Sequence, residues 1–598
     1  MDLSNIHSPD DIKNLSQKEI AQLAKDIRRT IIKVVGKNGG HLASNLGVVE
    51  LTIALHRVFK SPDDAIIFDV SHQCYAHKIL TGRYNDFHTL RKQNGISGFT
   101  NVSESSHDYF TSGHSSTSIS SALGLLTAWE NQGKNGKVIA VIGDGALTGG
   151  EAFEALCHAG LISKNLIVIL NDNQMSIDHN VGSVSRYLSR LTMSSQYQNF
   201  RHTVDRAIDS IPYFNKHLEK FIFRFKRAIK GLFLSNNLFV DLGFEYVGPM
   251  NGHNEAELET VLKRVQKLHR PVVVHVVTKK GKGYSPAEDN PELFHGIGPF
   301  NISDGTMEKF DRLSFTESFS NAIISLAEKN KKIVAITAAM AKGTGLSRFQ
   351  HKFPSRFYDV GIAEQHAVTF AGGLARGGLV PVVCIYSTFI QRAVDQMIHD
   401  IALQNLHCIF VLDRAGVVPN DGATHQGLFD IALFRPVPNV KILSPVSDKD
   451  LKLCLKWASK ENCPVIIRYP KISCPVELES FSLPVENGKG IFISEKEICG
   501  NEIFDKIVTE KKSHKKYSSK KQVSKSIIFT TGGMFGEVSN AVKSASQNGF
   551  KCDVFVLRFI KPLAAKYITD ISKKYKKIII VEDGIKSGGI SEYLETIL

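Results

Sequence analysis

The strongest constraint on the fold of this chain is an arrangement that occurs twice in succession, an apolar run closed by a polar triplet. Residues 137–142 lead into Gly143-Asp144-Gly145, and residues 166–170 lead into Asn171-Asp172-Asn173. Between them, Ala152, Phe153, Ala155, Leu156 and Ala159 offer one face of a helix over residues 151–159. Short apolar runs bounded by turn residues predict strands buried on both faces. Strand, helix and strand within ~30 residues make a βαβ unit with parallel strands. Both triplets then emerge at the carboxyl edge of the sheet, where open α/β sheets bind ligands.

That placement sets Asp144 near Asn173 in space. A carboxylate, an amide oxygen and a backbone carbonyl are hard oxygen donors of the kind magnesium takes alongside phosphate and water. Gly143 and Gly145 let backbone amides approach an anion. Each triplet alone reads equally well as an ordinary turn. The pair, in one register, predicts a cradle for a magnesium-bound diphosphate. The segment does not read G-x-G-x-x-G, which disfavours a dinucleotide site.

With 598 residues the chain exceeds one ordinary domain. Strands alternating with helices predict an α/β protein of three domains with mainly parallel sheets flanked by helices. The first domain covers residues 1–308, with helices at 18–35 and 48–59, strands at 65–69 and 272–277, and a polar helical insertion at about 180–236. The second covers 309–472, with strands at 333–336, 357–360, 380–385, 408–412, 440–443 and 465–470. A linker with a lysine-rich stretch at 506–525 fills 473–526, and a small third domain covers 527–598.

Net charge is +14, but the lysine-rich stretch lacks interleaved aromatics and any nucleic-acid motif, so it reads as a solvated loop. An anionic substrate is compatible with the positive field, which does not identify it. The nine cysteines are scattered without C-x-x-C spacing, as in a reducing compartment. The N-terminus lacks a signal pattern, and no charge-free span is long enough for a membrane helix. The expectation is a soluble cytoplasmic protein that binds neither membrane nor nucleic acid.

The strings HLASNLGVVELTIALH, FDVSHQCYAHKILTGR, TSGHSSTSIS, TAAMAKGTGL, GIAEQHAVTFAGGLA, YSTFIQRAVDQ and DRAGVVPNDGATHQG follow in order over about residues 8–470. In them, with the two triplets, the chain resembles the thiamine diphosphate-dependent enzymes. The 1-deoxy-D-xylulose-5-phosphate synthase family is the nearest match, and transketolase is next in architecture. The resemblance implies a three-domain transketolase-like homodimer that uses thiamine diphosphate and Mg2+. The implied reaction is decarboxylative condensation of pyruvate with D-glyceraldehyde 3-phosphate to 1-deoxy-D-xylulose 5-phosphate and CO2.

Residue by residue, the resemblance puts Mg2+ on Asp144, Asn173 and the backbone carbonyl of Met175. His72, Gly113, His114, Ser115, Gly145, Ala146 and Lys280 would hold the cofactor, with Lys279 a neighbouring competitor for Lys280. Glu364 would be the carboxyl that hydrogen-bonds the aminopyrimidine and activates it, and Phe389 would stack on that ring. From the residues alone, Glu364 reads better as an acidic residue of a first helical turn, and Phe389 suits a core position and Met175 simple packing. His41, His72, His114, His295 and His425 fall in turns or strand ends without zinc spacing. Isolated histidines are often structural; the resemblance gathers these around the thiazolium and substrates as hydrogen-bond donors and proton carriers. Which one donates the proton stays open.

Asp421 would orient the His425 region and the acceptor hydroxyl. Tyr386, Arg392 and Arg414 resemble sugar-phosphate anchors, a role that suits the planar guanidinium, although each arginine also fits a surface ion pair. Arg468 and Lys471 extend that group. Where the family reads RYPRG this chain reads RYPKIS, so Lys471 offers a point charge without the bidentate fork. The closing VEDGIKSGGISEYLETIL predicts a shortened third domain remote from the chemistry. Lys471 keeps two alternatives open, transketolase-like ketol transfer and carboligation of pyruvate with another aldehyde. A noncatalytic cofactor-binding protein would have no need of Glu364.

Overall fold

The structure, a computed structural model, describes residues 2–162, 165–173, 186–189, 191, 237–307, 312–418, 422–500 and 526–598. Almost all of the insertion expected at 180–236, and the lysine-rich stretch at 506–525, lie outside these residues. The chain divides into two compact units, Met1–Glu308 and Lys309–Leu598.

The first unit is built on β1 (Ala65–Phe68), β2 (Val138–Gly143), β3 (Leu166–Asp172), β4 (Glu245–Asn251) and β5 (Val272–Val277), in the order β1-β2-β3-β5-β4. Every pairing is parallel. Helices cover both faces. The long α1 (Gln17–Asn38) is started by a Ser16/Glu19 capping box and precedes α2 (Val49–Val58); α3 (Ser118–Asn131), α4 (Gly150–Ile162) and α5 (Glu255–Val265) are the other longer helices. Alternate strand residues enter opposite cores, Ala65 and Ile67 with α3 and α4, Ile66 and Phe68 with α2 and α5. That double coverage is why β2 and β3 read as unbroken apolar runs.

Two local expectations change. Ala152, Ala155, Leu156 and Ala159 of α4 are buried as expected, but Phe153 lies off that face and is 46% exposed. Strand β4 was not anticipated, because Gly248-Pro249 interrupts it and its pairing shifts register between Val247 and Met250.

The second unit holds two sheets. Strands β6 (Ile333–Thr337), β7 (Phe357–Asp359), β8 (Val380–Tyr386), β9 (Ile409–Asp413), β10 (Lys441–Leu443) and β11 (Val465–Tyr469) are parallel, and β15 (Phe559–Lys561) joins antiparallel at the β10 edge. The order is β15-β10-β11-β9-β8-β6-β7. The smaller sheet is β12 (Ile491–Ile493), β14 (Cys552–Leu557), β13 (Ser526–Thr531) and β16 (Lys577–Val581), in that order. A chain segment expected in a separate third domain thus supplies an edge strand to the larger sheet. The turn between β14 and β15 is fixed by Arg558, which pairs with Asp450 and donates to the carbonyls of Leu483 and Pro484. Among the described residues no helix is long and apolar enough to cross a membrane. All nine cysteines are free.

Helix α4 runs so near the turn before β4 that a Cβ on Gly160 would lie 1.7 Å from the Leu242 carbonyl oxygen. Gly160→Ala should therefore destabilise the first unit by about 1–3 kcal/mol. Gly124→Ala, in α3 with open space around its Cβ, should leave stability unchanged or raise it by up to ~1 kcal/mol. Urea unfolding of the two variants checks the contrast.

Candidate active site

In the first unit β2 and β3 end side by side, with Gly143 opposite Asn171. The Asp144 amide donates to the Asn171 carbonyl at 3.2 Å, and the buried Asp144 carboxylate accepts the amides of Gly145 and Asn173. Burial, then the neighbouring Asp172 carboxylate, raises Asp144 to about 7, while Lys280 opposes the shift. Lys280 is itself buried. Loss of hydration lowers it to about 8, against the pull of Asp144 and Glu292. Of the two candidate lysines, Lys280 is therefore the one brought to Asp144. Lys279 reaches outward to Glu288 at 2.5 Å.

The other side chains of the second triplet are engaged elsewhere. Asp172 bonds to His275 Nε2 at 2.9 Å, and Tyr246 to His275 Nδ1 at 2.7 Å. Asn171 accepts the Thr278 hydroxyl at 2.7 Å. A third chain segment is tied in by Asp69, at the end of β1, whose carboxylate accepts the amides of Ser116 (2.7 Å) and Ser118 (3.0 Å). The Ser116 hydroxyl donates to the Ala146 carbonyl at 2.7 Å. The turn that carries Gly113, His114 and Ser115 is thereby fastened beside Gly145 and Ala146. Met175 lies outside the described residues.

Three of the expected histidines cluster. Ring centroids are 5.5 Å apart for His41 and His72, 5.7 Å for His41 and His295, and 5.1 Å for His72 and His295. Asn45 holds the two segments together, its amide nitrogen donating to the carbonyls of both His41 and His72 at 2.7 Å. Its oxygen accepts the Tyr75 amide. The Ser44 hydroxyl lies 3.1 Å from His72 Nε2 and 3.5 Å from His295 Nδ1. Loss of hydration, then Lys280 and His72, hold His295 well below the ordinary imidazole value. It is a neutral ring, able to exchange hydrogen bonds with an oxygen. The influence of Lys280 also ties this cluster to the Asp144 cradle.

A second group forms in the second unit. Glu364 opens helix α6 (Glu364–Arg376) and is buried. Burial raises its carboxyl above the usual range, and Arg392, 3.8 Å away, opposes the shift. Phe389 stacks on Tyr386 at 5.6 Å, and His425 meets the Phe389 ring edge-on at 5.6 Å. On Tyr386 lies the Arg414 guanidinium, 3.7 Å from the ring centroid. Arg414 also donates to the Gly343 carbonyl at 2.8 Å and pairs with buried Asp413 at 3.2 Å. Lys471 is exposed and near enough to Asp413 to oppose the upward shift that burial imposes on it. Asp421 lies outside the described residues.

Arg468 departs from expectation. Expected among the phosphate anchors, it is 1% exposed. Its guanidinium donates to Asp430 at 2.7 Å and to Asp583 at 2.9 Å. Its Nε and one terminal nitrogen are thus engaged by two buried carboxylates.

With this geometry in place, a family model described as 1-deoxy-D-xylulose-5-phosphate synthase matches residues 3–278. Models for the transketolase pyrimidine binding domain and the transketolase C-terminal domain match residues 311–476 and 516–598. A 1-deoxy-D-xylulose-5-phosphate synthase of Treponema pallidum (strain Nichols) is 51% identical over 601 residues, covering 100% of this chain and 91% of the relative. The chain belongs to the 1-deoxy-D-xylulose-5-phosphate synthase family. Synthases of the same name from Syntrophomonas wolfei and Halothermothrix orenii are 45% and 46% identical. They cover 100% and 98% of this chain, and 89% and 88% of the relatives.

For this member of the synthase family, sequence reasoning overlooked Ser44, Asn45, Asp69 and Asp413, which hold the candidate side chains in place. Asn45 and Ser44 lie inside HLASNLG, and a signal was present there: two adjacent small polar residues in an otherwise apolar helical stretch. Asp69 and Asp413 each end a buried strand, as Asp144 nearly does, and that position could have marked them.

The raised Asp144 value has a signed consequence. Between about 4 and 7 the folded state holds a proton that the unfolded state has released, so this group lowers folding stability as pH rises through that window. The melting temperature of metal-free protein should fall more between pH 5 and pH 8 than that of Asp144→Asn, as differential scanning fluorimetry of both proteins can show.

Proposed function

We propose that this chain is a 1-deoxy-D-xylulose-5-phosphate synthase dependent on thiamine diphosphate and Mg2+. It condenses pyruvate with D-glyceraldehyde 3-phosphate and releases CO2. The observation that carries this reading is Glu364: a buried carboxyl with a raised pKa, at a helix start beside an aromatic stack, in a chain half identical to a named synthase.

The residues of the first unit fit the absent groups. Asp144 is desolvated and burdened by Asp172, a state that a divalent cation relieves. Asn173 supplies a hard oxygen, and Gly145, Ala146 and Lys280 surround the place for a diphosphate. Asp144, Asn173 and the Met175 carbonyl would hold Mg2+. Phe389 would stack on the aminopyrimidine. When bound, thiamine diphosphate supplies a nucleophilic carbon and an electron sink for decarboxylation.

The protein's own share is to hold and move protons and to fix the acceptor. Glu364, whose carboxyl burial raises above the usual range, would hydrogen-bond the aminopyrimidine and hold the proton exchanged with it. His41, His72 and His295 present imidazoles to oxygen atoms that gain negative charge, and Ser44 relays between two of them. His425, with Asp421, serves the acceptor hydroxyl. Tyr386, Arg392, Arg414 and Lys471 receive the acceptor phosphate, Arg414 as a fork held flat by Tyr386 and Lys471 as a mobile point charge. We read the assembly as a homodimer, as the family resemblance implies, and the setting as a reducing cytoplasm, consistent with nine free thiols.

Mass spectrometry of products from pyruvate with D-glyceraldehyde 3-phosphate or unphosphorylated D-glyceraldehyde tests this reading. The expected result is 1-deoxy-D-xylulose 5-phosphate as the dominant product, dependent on cofactor and Mg2+. Preferred use of the unphosphorylated aldehyde would support a carboligase, and ketol transfer from a sugar phosphate without pyruvate would support a transketolase. Asp144→Asn should lose the Mg2+-dependent rise in melting temperature.

A further inference from the structure

The Arg468–Asp583 pair joins the small C-terminal sheet to the strand ends that carry the anchors. Asp583 follows β16 and is buried. Its Oδ1 accepts from Arg468 at 2.9 Å and from the Thr531 hydroxyl at 2.8 Å. Its Oδ2 approaches Gly416 so closely that a Cβ there would lie 2.5 Å away, and Gly416 holds φ +80°.

Gly416 is the base of the loop that carries His425. It exchanges backbone hydrogen bonds with Gly427, at 2.7 and 2.9 Å, and lies two residues after Arg414. The far end of the loop is held by Asp430, which also accepts from Arg468. The Ala415 amide donates to the Tyr469 carbonyl, which fixes the Arg414 end to the strand that runs on to Lys471. One buried arginine and one carboxylate from the C-terminal sheet therefore set both ends of the 414–430 loop.

We propose that Asp583 is a positioning residue for acceptor recognition: through Arg468 and the close approach to Gly416 it fixes where Arg414 and Lys471 meet the acceptor phosphate. The proposal rests on the reading of those two residues as phosphate anchors. It also replaces the expectation that the C-terminal domain is remote from the chemistry. Asp583→Asn keeps the shape but removes the charge that orients Arg468. Thr531→Val removes only the hydroxyl that orients Asp583, and serves if Asp583→Asn fails to fold.

The test is steady-state kinetics of the holoenzyme with D-glyceraldehyde 3-phosphate and with D-glyceraldehyde, with Arg414→Ala as a reference. Asp583→Asn should raise KM for the phosphorylated acceptor by about tenfold or more. KM for pyruvate and kcat/KM for D-glyceraldehyde should change less than about twofold, a split that loss of stability alone would not produce. Thr531→Val should shift the same ratio in the same direction by a smaller factor. If Arg414→Ala discriminates between the acceptors while neither Asp583→Asn nor Thr531→Val does, the positioning role is overturned and the anchor reading stands. If Arg414→Ala itself fails to discriminate, the anchor reading falls and takes this inference with it.

Discussion

The burial of Asp144 at the end of a desolvated parallel sheet is the constraint on which the rest of the first unit depends. An ionised carboxylate removed from water beside a second carboxylate is costly unless cations and amides compensate. Gly145 and Asn173 supply the amides and Lys280 supplies part of the charge. Around that point the surrounding turns are fastened by further buried polar residues, Asp69 to the serine turn and Asn45 to the two histidine segments. Each such group satisfies orphan amides or carbonyls at a strand or helix end and so leaves the candidate side chains with little freedom to move.

The second unit solves the same problem with different residues. Glu364 is buried, and loss of hydration raises its carboxyl above the usual range while Arg392, 3.8 Å away, opposes the shift. Arg468 is the opposite case, a buried cation between two carboxylates. Losing one partner of such a set costs on the order of 3–5 kcal/mol. The two groups differ in how burial is met: the Glu364 carboxyl is pushed up by loss of hydration, while the Arg468 cation is held between two carboxylates.

Much of this was legible in the chain because the relevant signals are local. Apolar runs closed by polar triplets located β2 and β3, and the quoted strings placed Glu364, Phe389 and the histidines at strand or helix ends. Other features depend on where a side chain turns after the strand ends, which spacing does not encode. Adjacent Lys279 and Lys280 are indistinguishable in sequence, yet one faces solvent and the other Asp144. Arg468 lies on a strand whose alternation puts it inward toward Asp430 and Asp583, two residues far away in the chain. Strand β4 was hidden by Gly248-Pro249, and β15 by an Arg558 turn inside what reads as one apolar run.

The central claim is that Glu364 is the carboxyl that activates the bound cofactor. Its most direct test is the rate of hydrogen–deuterium exchange at the thiazolium C2 of bound thiamine diphosphate, followed by acid quench and proton NMR. Glu364→Ala should slow that exchange by about 10²–10⁴-fold, with the cofactor still bound in the presence of Mg2+. Exchange at the unaltered rate in Glu364→Ala would contradict the account.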